Sequence, residues 1–143
     1  MANEVTGEIS SEHLVKLRTV LGNVPFARLL GIELVAAQDG AVTLRLQVRP
    51  DLRQNQGVLH GGVIASLIDT ATAFAIVSQL TEPEKFTTVD LTVNYLRPLK
   101  EGSLTAQAHV IRAGRRLLTV TAEVYDDAGN LAAVALSTYI RLA

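Results

Sequence analysis

The chain has 143 residues, 48% of them hydrophobic, with 13 basic residues against 14 acidic ones. That bounds it to one domain of ordinary size with a real core, and the near-cancelling charges imply no surface built for polyanions or anionic membranes. Trp is absent and aromatics are only 4% of the chain, which argues against a base-stacking platform for nucleic acid. With no Cys there is no disulfide, thiol nucleophile or Cys-ligated zinc. His13, His60 and His109 are too dispersed for a ligand pair such as HxxxH, so neither a metal nor a cofactor is expected.

Residues 1–11 are polar and read as a frayed tail. They lack a basic-then-apolar signal pattern, which makes a cytoplasmic location the expectation. Residues 12–143 then form the single domain. Ser10 and Ser11 before Glu12 mark a helix start for HLVKLRTVL, with Leu14, Leu17 and Leu21 on one side. Gly22-Asn23 stops it, and Pro25 opens a second short turn, PFARLL, closed by Gly31. This pair should flank the core. Ile32 to Ala37 reads as a strand, and Asp39-Gly40 is a hairpin signal. In AVTLRLQVR, Val42, Leu44, Leu46 and Val48 face in while Thr43, Arg45, Gln47 and Arg49 face out. Pro50 ends that strand, and DLRQNQGVLH is a polar loop.

The stretch from Gly61 to Leu80, GGVIASLIDTATAFAIVSQL, carries a single charge, Asp69. After the glycine pair nothing breaks a helix, and twenty residues would span about 30 Å. On a helical wheel Ile64, Leu67 and Phe74 fall opposite Asp69, with Ala71 between them. Around the acid lie Ala65, Ser66, Thr72 and Ala73. The bulky side should bury in a core, and the small side leaves room for a ligand or a second helix. An unpaired carboxylate there is costly unless it is used, or bonded to nearby hydroxyls or an arginine. A membrane span has the right length, but a central Asp, no flanking Lys or Arg cluster and strand patterns on both sides argue against it.

Beyond Leu80, TEPEK is a charged turn. Phe86 to Arg97 alternates, with Val89, Leu91, Val93 and Tyr95 on one face, and Pro98 closes it. Leu104 to Arg112, Arg116 to Tyr125 and Leu131 to Leu142 follow, joined at Ala113-Gly114 and at Asp127 to Asn130. The order is therefore helix, two strands, one long buried helix and a four-strand meander. Its economical packing is an α+β roll, a curved antiparallel sheet wrapped around one long central helix.

His60-Gly61-Gly62 opens that helix with N–H groups that lack intrahelical acceptors, at the positive end of the dipole. Such a place can polarise a carbonyl, and the glycines would let a substrate approach the backbone, or would merely shape a tight start. Gly61 and Asp69 lie about 12 Å apart along one helix, too far to meet at one reacting carbon. Two copies related by a twofold can bring them together.

QNQGVLHGGVIASLIDTATAFAI, TTVDLTVNYLRPLKEG and GRRLLTVTAEVYDDAGNLAAVALSTYI together resemble the hotdog-fold acyl-CoA thioesterases over about residues 24–142. The phenylacetate-degradation-type branch, with its HGG…D pattern, is the nearest. The resemblance implies a hotdog fold, hydrolysis of an acyl- or aryl-acyl-CoA thioester to free acid and CoA, and a site shared between two subunits. It implies Asp69 as nucleophile or general base and Gly61 as the carbonyl-polarising N–H. Gln54 or Asn55 would hold water or the carbonyl, and Thr88 would assist. His60 and Gly62 at the helix start, with Ser66, Thr72 and Ala73 on its small side, are the expected substrate contacts, His60 being read as structural or orienting. Some relatives have a hydroxyl where this chain has Ala73, and some have Glu in place of Asp69. Arg97, Arg112, Arg115 and Arg116 are candidates for the CoA phosphates, against the alternative of a solvated basic face. A homotetramer built as a dimer of dimers is expected, and a homodimer at minimum. Other readings on this fold are an enoyl-CoA hydratase/dehydratase, which pairs its acid with His in a different motif, and a non-catalytic acyl-CoA-binding protein, which would need no acid.

Overall fold

In the computed structural model, residues 7–143 are described. Ser10 caps α1 (Ser11–Gly22) by accepting from the His13 N–H at 3.1 Å. Leu17 and Leu21 of α1 bury against the sheet, and Leu14 packs partly beside them. Pro25 opens α2 (Pro25–Leu30), and Gly31 ends it in the left-handed region at φ 74°. The expected tail divides. Residues 1–6 lie outside the described residues, while the Gly7 carbonyl accepts from the Asp39 N–H at 2.9 Å and Ile9 packs on the core.

Six antiparallel strands follow the expected segments within a few residues: β1 (Glu33–Gln38), β2 (Ala41–Gln47), β3 (Phe86–Tyr95), β4 (Ser103–Ala113), β5 (Leu117–Tyr125) and β6 (Leu131–Arg141). The β1–β2 turn places Gly40 at φ 81°, a conformation costly for any residue with a Cβ. Val42, Leu44, Leu46 and Val48 are buried as their alternation requires. The loop after β2 contains one short 3-10 turn, Pro50–Leu52, before the central helix α3 (Gly61–Val77).

One expectation about connectivity fails. The last four strands do not form a meander, because the sheet order is β1-β2-β4-β5-β6-β3. β4 already has β2 and β5 as neighbours, so β3 lies beyond β6 at the edge, paired from Phe86↔Arg141 to Tyr95↔Ala133. The chain from Leu96 to Gly102 crosses the end of the sheet, anchored by the buried Leu99, whose carbonyl accepts from the Leu59 N–H at 2.7 Å.

A second expectation fails within β3. Val89 does not share the inward face of Leu91 and Val93; it is 54% exposed. The register shifts between Thr88 and Asp90, so Val89 is the extra residue of a β-bulge. Ser137 braces the bulge by donating to the Asp90 carbonyl at 3.1 Å. Tyr95, also expected inward, is half exposed at the strand end.

α3 lies in the concave side of the sheet, mainly against β2, β4 and β5. Ile64, Leu67, Ile68, Ala71, Phe74 and Ala75 form its buried side, and Ala65, Ser66, Asp69, Thr70 and Ala73 remain half exposed along the other. Thr72 departs from the expected pattern: it is fully buried. The helix ends at Val77, earlier than Leu80, and His13 Nε2 meets the carbonyl of its cap residue Ser78 at 2.9 Å.

Candidate active site

Asp69 occupies the middle of α3, on the half-exposed side, and three hydroxyls gather around it. Thr88 Oγ1 donates to Asp69 Oδ1 at 2.8 Å. The Tyr139 phenol lies 3.2 Å from the same Oδ1 and 2.9 Å from the Asp69 carbonyl. Thr72 Oγ1 is 2.7 Å from the phenol oxygen and also reaches the Ile68 and Asp69 carbonyls. The bonded-to-hydroxyls alternative is thus realised, but on one carboxylate oxygen. Among the described residues no group bonds Oδ2.

The bulge in β3 explains how Thr88 arrives there. With Val89 looped out, Thr88 pairs directly with Tyr139 across the strands, and both face the helix. Tyr139 is 2% exposed, and its ring packs edge-on against Phe86 at a centroid distance of 5.6 Å. Burial pushes its phenol from the ordinary 10.0 up to about 12, so the group is a neutral donor at physiological pH. Sequence reasoning did not place Tyr139 in the site. The available signal was its inward position in β6, in register with Ala133, Ala135 and Ser137, since a buried tyrosine requires a partner for its hydroxyl.

At the helix start, His60 is the cap: its Nδ1 accepts from the Gly62 N–H at 2.8 Å, which leaves the proton of the neutral ring on Nε2. The Gly61 N–H has no acceptor among the described residues, while Tyr95 donates to the Gly61 carbonyl at 2.8 Å. A Cβ at Gly61 would stand 3.3 Å from the Tyr95 ring, and one at Gly62 would stand 2.9 Å from His60 Nδ1. Both glycines therefore also answer to close neighbours in their own chain. A groove beside this start is lined by Leu59, Gly61, Ile64, Tyr95, Leu96 and Arg97.

The remaining candidates are spread out. The Gln54 side chain accepts from the Gln56 N–H inside its own loop, and Asn55 is exposed. Ser66 Oγ donates to the Gly62 carbonyl at 2.7 Å, and Ala73 is half exposed. Thr72, with no exposed surface, stands behind Asp69 against Tyr139. Arg97 borders the groove, 4.0 Å from Asp126. Arg112, Arg115 and Arg116 are exposed at or near the β4–β5 turn. The Arg116 carbonyl there accepts from the Arg141 N–H, at the end of the sheet facing the C-terminus of α3. Within one chain the structure brings together Asp69 and Thr88, and it does not join them to Gly61, which stands eight residues and about 12 Å away on the same helix. Among the described residues no group of His, Asp and Glu could hold a metal ion, and no helix is long and apolar enough to cross a membrane.

The sequence profile of the thioesterase superfamily matches residues 56–133, which span the helix start, Asp69, Thr88 and strands β3, β4 and β5. The medium/long-chain acyl-CoA thioesterase YigI of Salmonella typhimurium is 32% identical, over 92% of this chain and 96% of its own. Among solved structures, a thioesterase from Haemophilus influenzae superposes with a TM-score of 0.83 at 29% identity, covering 90% of each chain. The PaaI protein of the Escherichia coli phenylacetic acid degradation operon gives 0.86 at 25% identity, over 95% of this chain and 97% of that one. An acid held on the small side of a central helix, a free N–H at that helix's start, a six-stranded wrapping sheet and these likenesses agree: the chain belongs to the thioesterase superfamily, a hotdog-fold thioester hydrolase.

Proposed function

We propose that the protein hydrolyses acyl-CoA thioesters to a carboxylic acid and CoA, in two equivalent sites each shared between two copies of the chain. The observation that carries this reading is the Asp69 carboxylate, held through Oδ1 on the half-exposed small side of α3 with Oδ2 unengaged. A sensor that only binds acyl-CoA has no use for that acid, and a hydratase would pair it with a histidine. The relative YigI carries the name of an acyl-CoA thioesterase, which supports the same substrate class here.

The sharing follows from distance. About 12 Å of helix separates Asp69 from the Gly61 N–H, and a thioester carbon must meet both the attacking oxygen and the oxyanion donors within about 3 Å. β3 is an edge strand of ten residues, and long unpaired edges invite pairing with another copy. Pairing β3 with its counterpart across a twofold sets the two α3 helices side by side through their small faces. The start of one then approaches Asp69 of the other.

In such a site the Gly61 N–H and the helix dipole polarise the thioester carbonyl, and Gln54 or Asn55 of that copy holds the water or the carbonyl oxygen. Asp69 of the other copy supplies the electron pair. It either attacks the carbonyl, expelling the thiolate and leaving an anhydride that water opens, or takes a proton from water as that water attacks. Label in the Asp69 carboxylate after a single turnover in heavy-oxygen water would establish the covalent route, because it enters there only through an anhydride opened at its Cγ. Arg97, beside Gly61, is the basic residue best placed for the CoA phosphates of its own chain's groove. Arg115 and Arg116 stand at the other end and could reach only the partner's ligand. Thr72 steadies Tyr139 and does not touch substrate.

Incubation with acyl-CoAs of graded chain length and with aryl-acyl-CoAs, in the presence of a thiol reagent, tests the reading. Release of free thiol is the expected result. Hydration without thiol release, or tight binding with neither, would replace it.

A further inference from the structure

Asp69 Oδ1 receives hydroxyls from two different strands, Thr88 on β3 and Tyr139 on β6, while Oδ2 receives none among the described residues. The torsion that rotates a carboxylate is broad and twofold, so an Asp on an open helix face would exchange its oxygens freely. Here two donors on one oxygen remove that freedom. The single Tyr139 O–H proton is shared between Oδ1 at 3.2 Å and the Asp69 backbone carbonyl at 2.9 Å, so the phenol bridges the side chain and the main chain of the same residue.

The phenol is itself fixed. Thr72 Oγ1 lies 2.7 Å from its oxygen, Phe86 packs edge-on against its ring, and 2% exposure keeps out a water that could replace it. This is a chain of contacts running Thr72, Tyr139, Asp69 Oδ1, Thr88, assembled from α3, β6 and the bulged β3.

We infer that Tyr139 is a positioning residue for Asp69: with Thr88 it pins Oδ1 and so reserves Oδ2 as the oxygen that meets the thioester or the attacking water. This rests on the proposed role of Asp69. Tyr139 does not touch the reacting atoms. Its contribution is orientation, and small displacements of a catalytic group are costly in rate.

The test is Tyr139→Phe, which keeps the ring against Phe86 and leaves Thr72 the Ile68 carbonyl as an acceptor. With the acyl-CoA turned over fastest in the panel, kcat should fall on the order of 10-fold, the scale of one hydrogen bond to a charged group, at nearly constant KM. Thr88→Val should act similarly. Because both hydroxyls hold one oxygen, the double variant should lose much less than the product of the two single losses. Thr72→Val, which leaves the phenol in place but loosens it, should give a smaller kcat loss and keeps the test decisive if Tyr139→Phe does not fold. Wild-type kcat in folded Tyr139→Phe overturns the inference, as does wild-type kcat in Thr72→Val where Tyr139→Phe does not fold. So does a rise in KM alone, or full multiplicativity with Thr88→Val. Failure of the underlying reading looks different: Asp69→Asn would then itself turn over normally.

Discussion

Replacing Asp69 by Asn isolates the chemistry of one oxygen. Thr88 and Tyr139 both present donors to the Oδ1 position, so the amide carbonyl of Asn settles there and its NH2 group takes the place of Oδ2. The substitution keeps size and both hydrogen bonds, but it sets a donor where the reacting acceptor stood. Bonds to a neutral carbonyl are roughly half as strong as those to a carboxylate, so the folding penalty should be about 1 kcal/mol. The chemical penalty is the loss of a positioned base or nucleophile, about 10²- to 10⁴-fold in kcat, or roughly 3–5 kcal/mol of barrier. The assay is thiol release at saturating acyl-CoA, with circular dichroism to verify folding and calorimetry to verify that acyl-CoA still binds. A folded variant with kcat within tenfold of the wild type would remove Asp69 from the mechanism and with it the proposed sharing of the site.

The shared site makes an assembly prediction: light scattering at micromolar protein should give a tetramer, or a dimer at least, and a stable active monomer would refute it. Mixing Asp69→Asn with Gln54→Ala through reversible dissociation should restore about a quarter of wild-type activity, since about half the dimers are mixed and each then has one intact site. Activity that stays at the sum of the two variants, with subunit exchange confirmed by mass, would place a complete site in each chain. Burial raises the Tyr139 phenol from 10.0 to about 12, so the unfolded chain gives up this proton first as pH rises. The stability tied to that proton is full below pH 10 and is lost between pH 10 and about 12. Alkaline unfolding followed by tyrosinate absorbance should show this component, and Tyr139→Phe should lack it.

Local pattern was sufficient for most of the architecture. The Asp39-Gly40 turn, the Ser10 cap, the Gly31 stop and the alternation of Val42, Leu44 and Leu46 act over a few residues, and each appears as its chemistry requires. The isolation of Asp69 on the small side of α3, and the HGG start of that helix, were legible for the same reason: helical spacing alone decides which side chains share a face.

Sheet order was not legible, because a strand's own residues do not name its neighbours. β3 could have paired with β4 by the shortest connection, but β2 and β5 occupy both edges of β4 and β3 lies beyond β6. The bulge at Val89 was equally hidden. Strict alternation in FTTVDLTVNY predicts Val89 inward, and one looped-out residue, braced by Ser137 from the next strand, hands that place to Thr88. The Thr72–Tyr139–Asp69 chain of hydroxyls joins residues 67 and 70 positions apart. Sequence determined which residues could carry chemistry. Tertiary structure alone decided which oxygen of Asp69 is held and which is left free, because that choice is made by non-local pairing of strands across the helix.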